Sequence, residues 1–204
     1  GSTMTNVFST GSINGNDYVG GITGQANSID LNGAYATGLI SGQDYVGGII
    51  GQYNGYEYED RKIFHTYATG DVSGRYYVGG FIGYSDYGVI SQSFARGNVT
   101  AGQDNIGGFI GHTGNDLTIR DTYARGNVTI TLGEGDAGGF IGEGSDDTLI
   151  STSYSTGLVT TESDHGGFVG NAAPSHIRAS FWDTETSGTS SACGFSSCGA
   201  VGKT

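Results

Sequence analysis

A glycine-rich block recurs along this chain at a nearly constant interval. YATGLISGQDYVGGIIG at 35–51 returns as YATGDVSGRYYVGGFIG at 67–83, FARGNVTAGQDNIGGFIG at 94–111 and YARGNVTITLGEGDAGGFIG at 123–142. Looser copies are FSTGSINGNDYVGGITG at 8–24 and YSTGLVTTESDHGGFVG at 154–170. Each copy opens on an aromatic residue: Phe8, Tyr35, Tyr67, Phe94, Tyr123, Tyr154 and, for a seventh that only begins, Phe181. These lie 27, 32, 27, 29, 31 and 27 residues apart. The glycine pairs starting at Gly20, Gly47, Gly79, Gly107, Gly138 and Gly166 lie 27, 32, 28, 31 and 28 apart. A base period of 27 with insertions fits both series. Such a period marks arrays in which no unit buries its own apolar side, so neighbouring units must do it.

The unit is not helical, because no segment keeps apolar residues at i, i+3, i+4 and i+7 and glycine interrupts every stretch. Short runs such as Asn127–Ile130 and Gly139–Gly142 combine β-branched and aromatic residues between turn formers, as strands do. The period predicts about three strands per unit. Stacking coil on coil, with equivalent residues about 4.8 Å apart, gives an all-β parallel β-solenoid; six coils make a rod of roughly 30 Å. The crossover rule predicts a right-handed coil. The rival, an antiparallel propeller or prism, needs longer units. The glycines are expected at sharp corners requiring positive φ and beside the buried strand, where backbones approach closely. The motif positions are Gly21 and Gly24, Gly48 and Gly51, Gly80 and Gly83, Gly108 and Gly111, Gly139 and Gly142, and Gly167 and Gly170.

Forty glycines without a Gly-X-Y period exclude collagen, and 13 Tyr with 9 Phe exclude a disordered linker. A formal charge of −12 argues against nucleic acid and against an anionic membrane surface as partners. No run approaches the length of a membrane span, so no membrane insertion is expected. An acidic, lysine-poor surface suits an extracellular protein. Residues 1–4 read as a tag remnant or linker, 5–180 as six repeats, and 181–204 as a partial repeat or cap. Cys193 and Cys198 lack the further ligands a zinc site needs; they form either a local disulfide in an oxidising compartment or two free thiols.

Candidate contacts lie where the pattern departs from its period. The largest insertion, after Gly51, carries Tyr53, Tyr56 and Tyr58 with Glu57, Glu59 and Asp60, and reads as a contact loop or, preferably, as a tolerated surface insertion with its tyrosines folded onto the rod. A smaller one runs through Thr131–Asp136. Tyr18, Tyr45 and Tyr77 precede Val19, Val46 and Val78; if the valines point inward the tyrosines point outward, as a glycan platform or as a self-stacked ladder. Asn105, Asp136 and Asp164 follow in later copies. Asp17, Asp44 and Asp104 also recur: a calcium ladder is conceivable, but turn residues capping backbone amides is the preferred reading, so no cofactor is expected. His65, His112, His165 and His176 share no spacing, and no nucleophile elbow or P-loop occurs, so no catalytic residues and no metal site are assigned and the chain is not read as an enzyme. The row Thr10, Thr37, Thr69, Arg96, Arg125, Thr156 would suit an ice-binding face but for its two arginines.

The repeated Gly-Gly-Phe-Ile-Gly core behind Tyr-Ala-x-Gly-x-Val resembles the GLUG motif, named for a Gly-Leu-x-Gly-like core. The matching cores are Gly21-Ile22-Thr23-Gly24, Gly48-Ile49-Ile50-Gly51, Gly80-Phe81-Ile82-Gly83, Gly108-Phe109-Ile110-Gly111, Gly139-Phe140-Ile141-Gly142 and Gly167-Phe168-Val169-Gly170. Ser180–Gly188 and Gly202–Thr204 look like the ending of such arrays, although the two cysteines are not part of the motif. Leucine is replaced here by Ile or Phe. The resemblance spans residues 5–204 and implies a large bacterial surface protein, such as a filamentous-haemagglutinin-like adhesin or the non-catalytic repeats of an immunoglobulin-A protease. It implies an extracellular or cell-surface location and a spacer or adhesive role. The partner would be a host or environmental surface glycan or protein. The alternatives are a carbohydrate-binding module, an accessory region of a secreted protease or hydrolase, and an ice-binding solenoid.

Overall fold

In the computed structural model, which describes residues 1–57, 61–132, 135–163, 165–171, 176–195 and 197–204, the chain is a parallel β-solenoid, with no helix among the described residues. Each coil divides into five short strands, one more turn of the chain adding one strand to each of five parallel sheets of six to eight strands. In the coil opening at Tyr35 they are Tyr35–Ala36, Ile40–Ser41, Asp44–Gly47, Ile50–Asn54 and Lys62–Phe64. The expectation of three strands was too coarse, because a turn breaks each of the first two runs once, into Tyr35–Ala36 and Ile40–Ser41 and into Asp44–Gly47 and Ile50–Asn54. Register follows the repeat: Tyr67 pairs with Tyr35 and Phe94, Val78 with Val46 and Ile106, and Ile82 with Ile50 and Ile110. Identical side chains therefore stack, as the spacing of the sequence demanded.

Two buried clusters run along the axis. The larger stacks Phe81, Phe109, Phe140 and Phe168, ring centroids 4.6–5.0 Å apart, beside Ile50, Ile82, Ile110 and Ile141. The smaller stacks Val46, Val78 and Ile106 against Ile40, Val72, Val99 and Val128. The second glycine of each pair sits near the Ala36, Ala68, Ala95 and Ala124 ladder: a Cβ on Gly80 would lie 3.1 Å from the Ala95 methyl and 3.2 Å from Val99. The same Cβ would strike the carbonyl oxygen of Gly108 in the next coil.

That close approach, and not corner geometry, is why the paired glycines are there. Their φ values are ordinary; among the described glycines only Gly33, Gly88 and Gly188 adopt the left-handed region. Apart from Gly33, the corners in two rows are turned by larger residues with positive φ, which corrects the expectation that glycine generally turns them. One row is Asn6, Gly33, His65, Gln92, Asp121, Thr152 and Ala179; another is Tyr18, Tyr45, Tyr77 and Asn105. The left-handed conformation costs a non-glycine residue roughly 1–2 kcal/mol, so neighbours must hold it. After the first row, buried hydroxyls of Thr66, Ser93, Thr122, Ser153 and Ser180 bridge the coils: Ser93 Oγ accepts from the Thr66 amide at 3.2 Å, and Thr122 and Ser153 hydroxyls meet at 2.9 Å. In the Gly-Asp/Asn-Val turns, Asp71 accepts from the Asn98 amide (2.7 Å), Asn98 from that of Asn127 (3.0 Å), and Asn127 from that of Leu158 (3.1 Å). These bonds satisfy turn amides that no strand partner reaches.

Both termini belong to the solenoid. Ser2–Thr5, of which residues 2–4 were expected as part of a 1–4 linker, is a strand paired in register with Ile29–Asn32, with Met4 packed on the core. At the other end Val201–Lys203 pairs with Phe181–Asp183, and Cys193 bridges to Val169. Cys193 and Cys198 are joined in a disulfide. Trp182, nearly buried, lies against Gly167 and closes the interior. Reducing the disulfide should cost about 2 kcal/mol on the chain-entropy estimate for so short a loop, and the loss should stay local. Amide exchange should accelerate across 189–203 while the Phe81–Phe140 coils remain protected; simultaneous exposure of all coils would contradict this.

Candidate functional site

With the interior closed, chemistry is confined to the outer faces, where two aromatic ladders run along the rod. The first stands on the corner formed by Tyr18, Tyr45 and Tyr77. Their centroids are 4.8 Å apart at both steps, with interplanar angles of 9° and 13°. The rings point outward as expected, but through a left-handed backbone (φ 54 to 57°) and not through simple strand alternation. Stacking at coil spacing covers each ring face with the next, so only the outer face of Tyr18, 39 % exposed, is open. The rings therefore present edges and hydroxyls, not a broad face, to a sugar.

A second row flanks this corner, formed by Gln25, Gln52, Tyr84, His112, Glu143 and Asn171 in register. Tyr84 stacks on His112 at 5.3 Å, and both pack edge-on against Tyr77, at 6.4 and 5.7 Å. His112 Nδ1 lies 2.8 Å from a Glu143 carboxylate oxygen. The Asn171 side chain donates to Asp136 at 3.0 Å. The strip thus passes from tyrosine, through histidine, to carboxylates. Burial raises the Tyr45 phenol above its ordinary value, helped by Tyr77, Tyr18 and Asp44, and burial followed by Asp86 raises Tyr84. Asp136 is also raised, first by burial, then by Glu143 and Asp104, with the Asn171 bond opposing.

A raised carboxyl favours the protonated form in the fold, so its contribution to stability is present below the unfolded value and lost as pH rises through the folded one. Asp136→Asn should therefore raise Tm at pH 7, where wild type holds a poorly solvated charge, and should have no effect near about pH 3. Calorimetry at both pH values checks this; an equal shift at both would contradict the desolvation argument.

Of the two readings of the insertion, contact loop or tyrosines folded onto the rod, Tyr53 departs from the first. Tyr53 is 0 % exposed: its ring lies inside the solenoid and its hydroxyl donates to the Ile29 carbonyl at 3.1 Å. Its register partners, Ala26 and Ser85, are small, so the ring fills space that those coils leave. Tyr53 is thus a core residue and not a contact. Tyr56 is exposed and borders a small cleft with Glu57, Tyr87 and Asp116. Tyr58, Glu59, Asp60, Glu134, Asp164 and Pro174 lie outside the described residues.

The recurring aspartates do not cap amides. Asp44 lies in a strand and takes a two-pronged bond from Arg75, at 3.1 and 3.0 Å. Asp17 bonds the neighbouring Asn16 side chain, and Asp104 is exposed. Amide capping falls instead to Asp71, Asp86, Asn98 and Asn127. Among the described residues no cluster of three His, Cys, Asp or Glu could hold a metal ion.

The second ladder was not singled out as a site from the sequence. Phe8, Tyr35, Tyr67, Phe94, Tyr123 and Tyr154 form one continuous stack, centroids 4.8–5.2 Å apart and planes within 10°. The signal was available in the Tyr-Ala dipeptide: alternation sends the alanine inward and the ring outward. The row two residues on, Thr10, Thr37, Thr69, Arg96, Arg125 and Thr156, borders this ladder. Arg96 lies over Phe94 at 4.7 Å and donates to the Tyr123 hydroxyl at 2.6 Å. Arg125 lies over Tyr123 at 5.0 Å and donates to the Tyr154 hydroxyl at 2.7 Å.

Compared with known proteins, the chain matches one family, the GLUG motif, over residues 74–100. That stretch is one base period, and the other coils carry the same pattern at the same register. No curated protein and no solved structure matches the chain.

Proposed function

We propose that these GLUG-type coils form a non-catalytic rod within a bacterial cell-surface adhesin, holding contact surfaces away from the cell. The observation that supports this reading is how far the stack supports itself: from Phe8 to Tyr154 the outer rings, and along the Phe81–Phe168 core the inner rings, pack on the next coil, and side chains of one coil accept hydrogen bonds from the turn amides of the next. Such a design stiffens and lengthens a chain while leaving its outer rows free to vary. Pulling single molecules from both ends tests it. The rod reading expects resistance followed by release in coil-sized steps; smooth extension at negligible force would reject it. A glycan array with Tyr45→Ala and Tyr56→Ala tests whether the first ladder and its loop also act as contacts, and a loss of signal in either variant would favour a carbohydrate-binding role. Placement beside a secreted catalytic domain would be decided by the flanking sequence.

A further inference from the structure

The positive charge of this acidic chain is distributed unevenly. Eight Lys and Arg stand against 20 acids. Arg61, Arg75 and Arg120 are ion-paired to Asp30, Asp44 and Asp121. Among the described residues the other five have no carboxylate within 4.0 Å: Lys62 and Arg178 stand on the sheet that holds Lys62–Phe64 and His176–Arg178, whereas Arg96, Arg125 and Lys203 all lie along the second aromatic ladder, over Phe94, Tyr123 and Phe181. Register places them on one row: the position two residues after the opening aromatic holds Arg96, Arg125, Thr156 and Asp183, and Lys203 pairs with Asp183 in the last strand. The Asp183 carboxylate is occupied by its own turn, accepting from the amides of Glu185 and Thr186 at 2.9 and 3.1 Å.

The ladder also opens at one place. Tyr154 and Phe181 are register partners, yet their rings do not stack as the preceding pairs do. A cleft of about 300 Å³ lies there, lined by Tyr154, Thr156, Phe181, Trp182, Asp183 and Lys203. Here ring surface faces a cavity instead of another ring. A flat apolar wall rimmed by hydroxyls and the cation of Lys203 suits a pyranose ring carrying a carboxylate or sulfate: the C–H face meets the aromatic wall and the anion meets Lys203, while Arg125, outside the cleft and three strands back on the same row, is placed for another anion of the same polysaccharide.

We propose that the Tyr154–Phe181 cleft and its row of cations form a binding site for acidic polysaccharide, with Lys203 and Arg125 as the anion-recognising residues and Phe181 as the stacking wall. The site needs only the observed fold and is independent of whether the rod spaces other domains.

The test uses the whole chain with fluorescent oligogalacturonate as probe, an uncharged glucan oligomer and polyglutamate as comparators, and circular dichroism to check that each variant folds. Oligogalacturonate should bind saturably and more weakly as salt rises. Arg125→Gln and Lys203→Gln should each weaken it about fivefold, as expected for an exposed charge pair. Phe181→Ala should abolish it with the melting temperature of the central coils unchanged. Absence of oligogalacturonate binding, equal binding of uncharged glucan or of polyglutamate, or indifference to both charge substitutions would overturn the assignment. None of these results bears on the pulling measurement, so the two readings fail separately.

Discussion

Gly108→Val should lower the melting temperature by ~10 °C, corresponding to a loss of about 3 kcal/mol or more in a chain of this size. Any Cβ at Gly108 would meet the carbonyl oxygen of Gly139 in the next coil, and lies 3.1 Å from the Ala124 methyl. Neither obstacle is a flexible side-chain end. The coil could make room only by separating from its neighbour, which would break the Gly108 amide bond to the Gly138 carbonyl and loosen the Phe109 stack. Gly108→Ala should therefore be nearly as harmful as the valine. The control is Gly102, where a Cβ has nothing closer than 3.7 Å and alanine should be close to neutral. Equal behaviour of Gly108→Ala and Gly102→Ala in thermal melts would show that close approach is not what the motif glycine provides.

Tyr53→Ala should be comparably destabilising, about 3–5 kcal/mol, the usual range for removing a buried aromatic ring. Tyr53→Phe keeps the ring and gives up only the hydroxyl bond to Ile29, and should cost about 1 kcal/mol. Tyr56→Ala, one turn further along the same insertion, removes an exposed ring and should leave stability within about 0.5 kcal/mol. Denaturant melts of the three variants separate the roles. A mild Tyr53→Ala would mean that the ring spends its time outside the solenoid, and would return it to the contact loop.

The solenoid, its register and its ladders were legible because the repeat is dense. Six copies with aromatic and glycine positions drifting together leave few alternatives to in-register stacking. Strand number was less legible, since corners built on Tyr18, His65 or Gln92 carry no sequence mark of positive φ. The close approach at the Gly-Gly pairs was legible and is observed, whereas the expectation that glycines also turn the corners fails for the same reason. Tyr53 was misplaced because its orientation depends on Ala26 and Ser85, which lie a whole coil away on either side. The second aromatic ladder had a local signature in Tyr-Ala. Its significance lay in Arg96, Arg125 and Lys203 meeting on one row without carboxylate partners, and a one-dimensional period does not reveal where carboxylates fall.

Periodicity alone therefore determined that the chain winds into coils and that like residues stack, because a repeated apolar pattern can bury itself only against its own next copy. Which residues turn the corners, which ring enters the interior and where the outer stack opens were decided by tertiary packing. Each depends on the volume and charge that adjacent coils happen to leave, and those vary from copy to copy while the period does not.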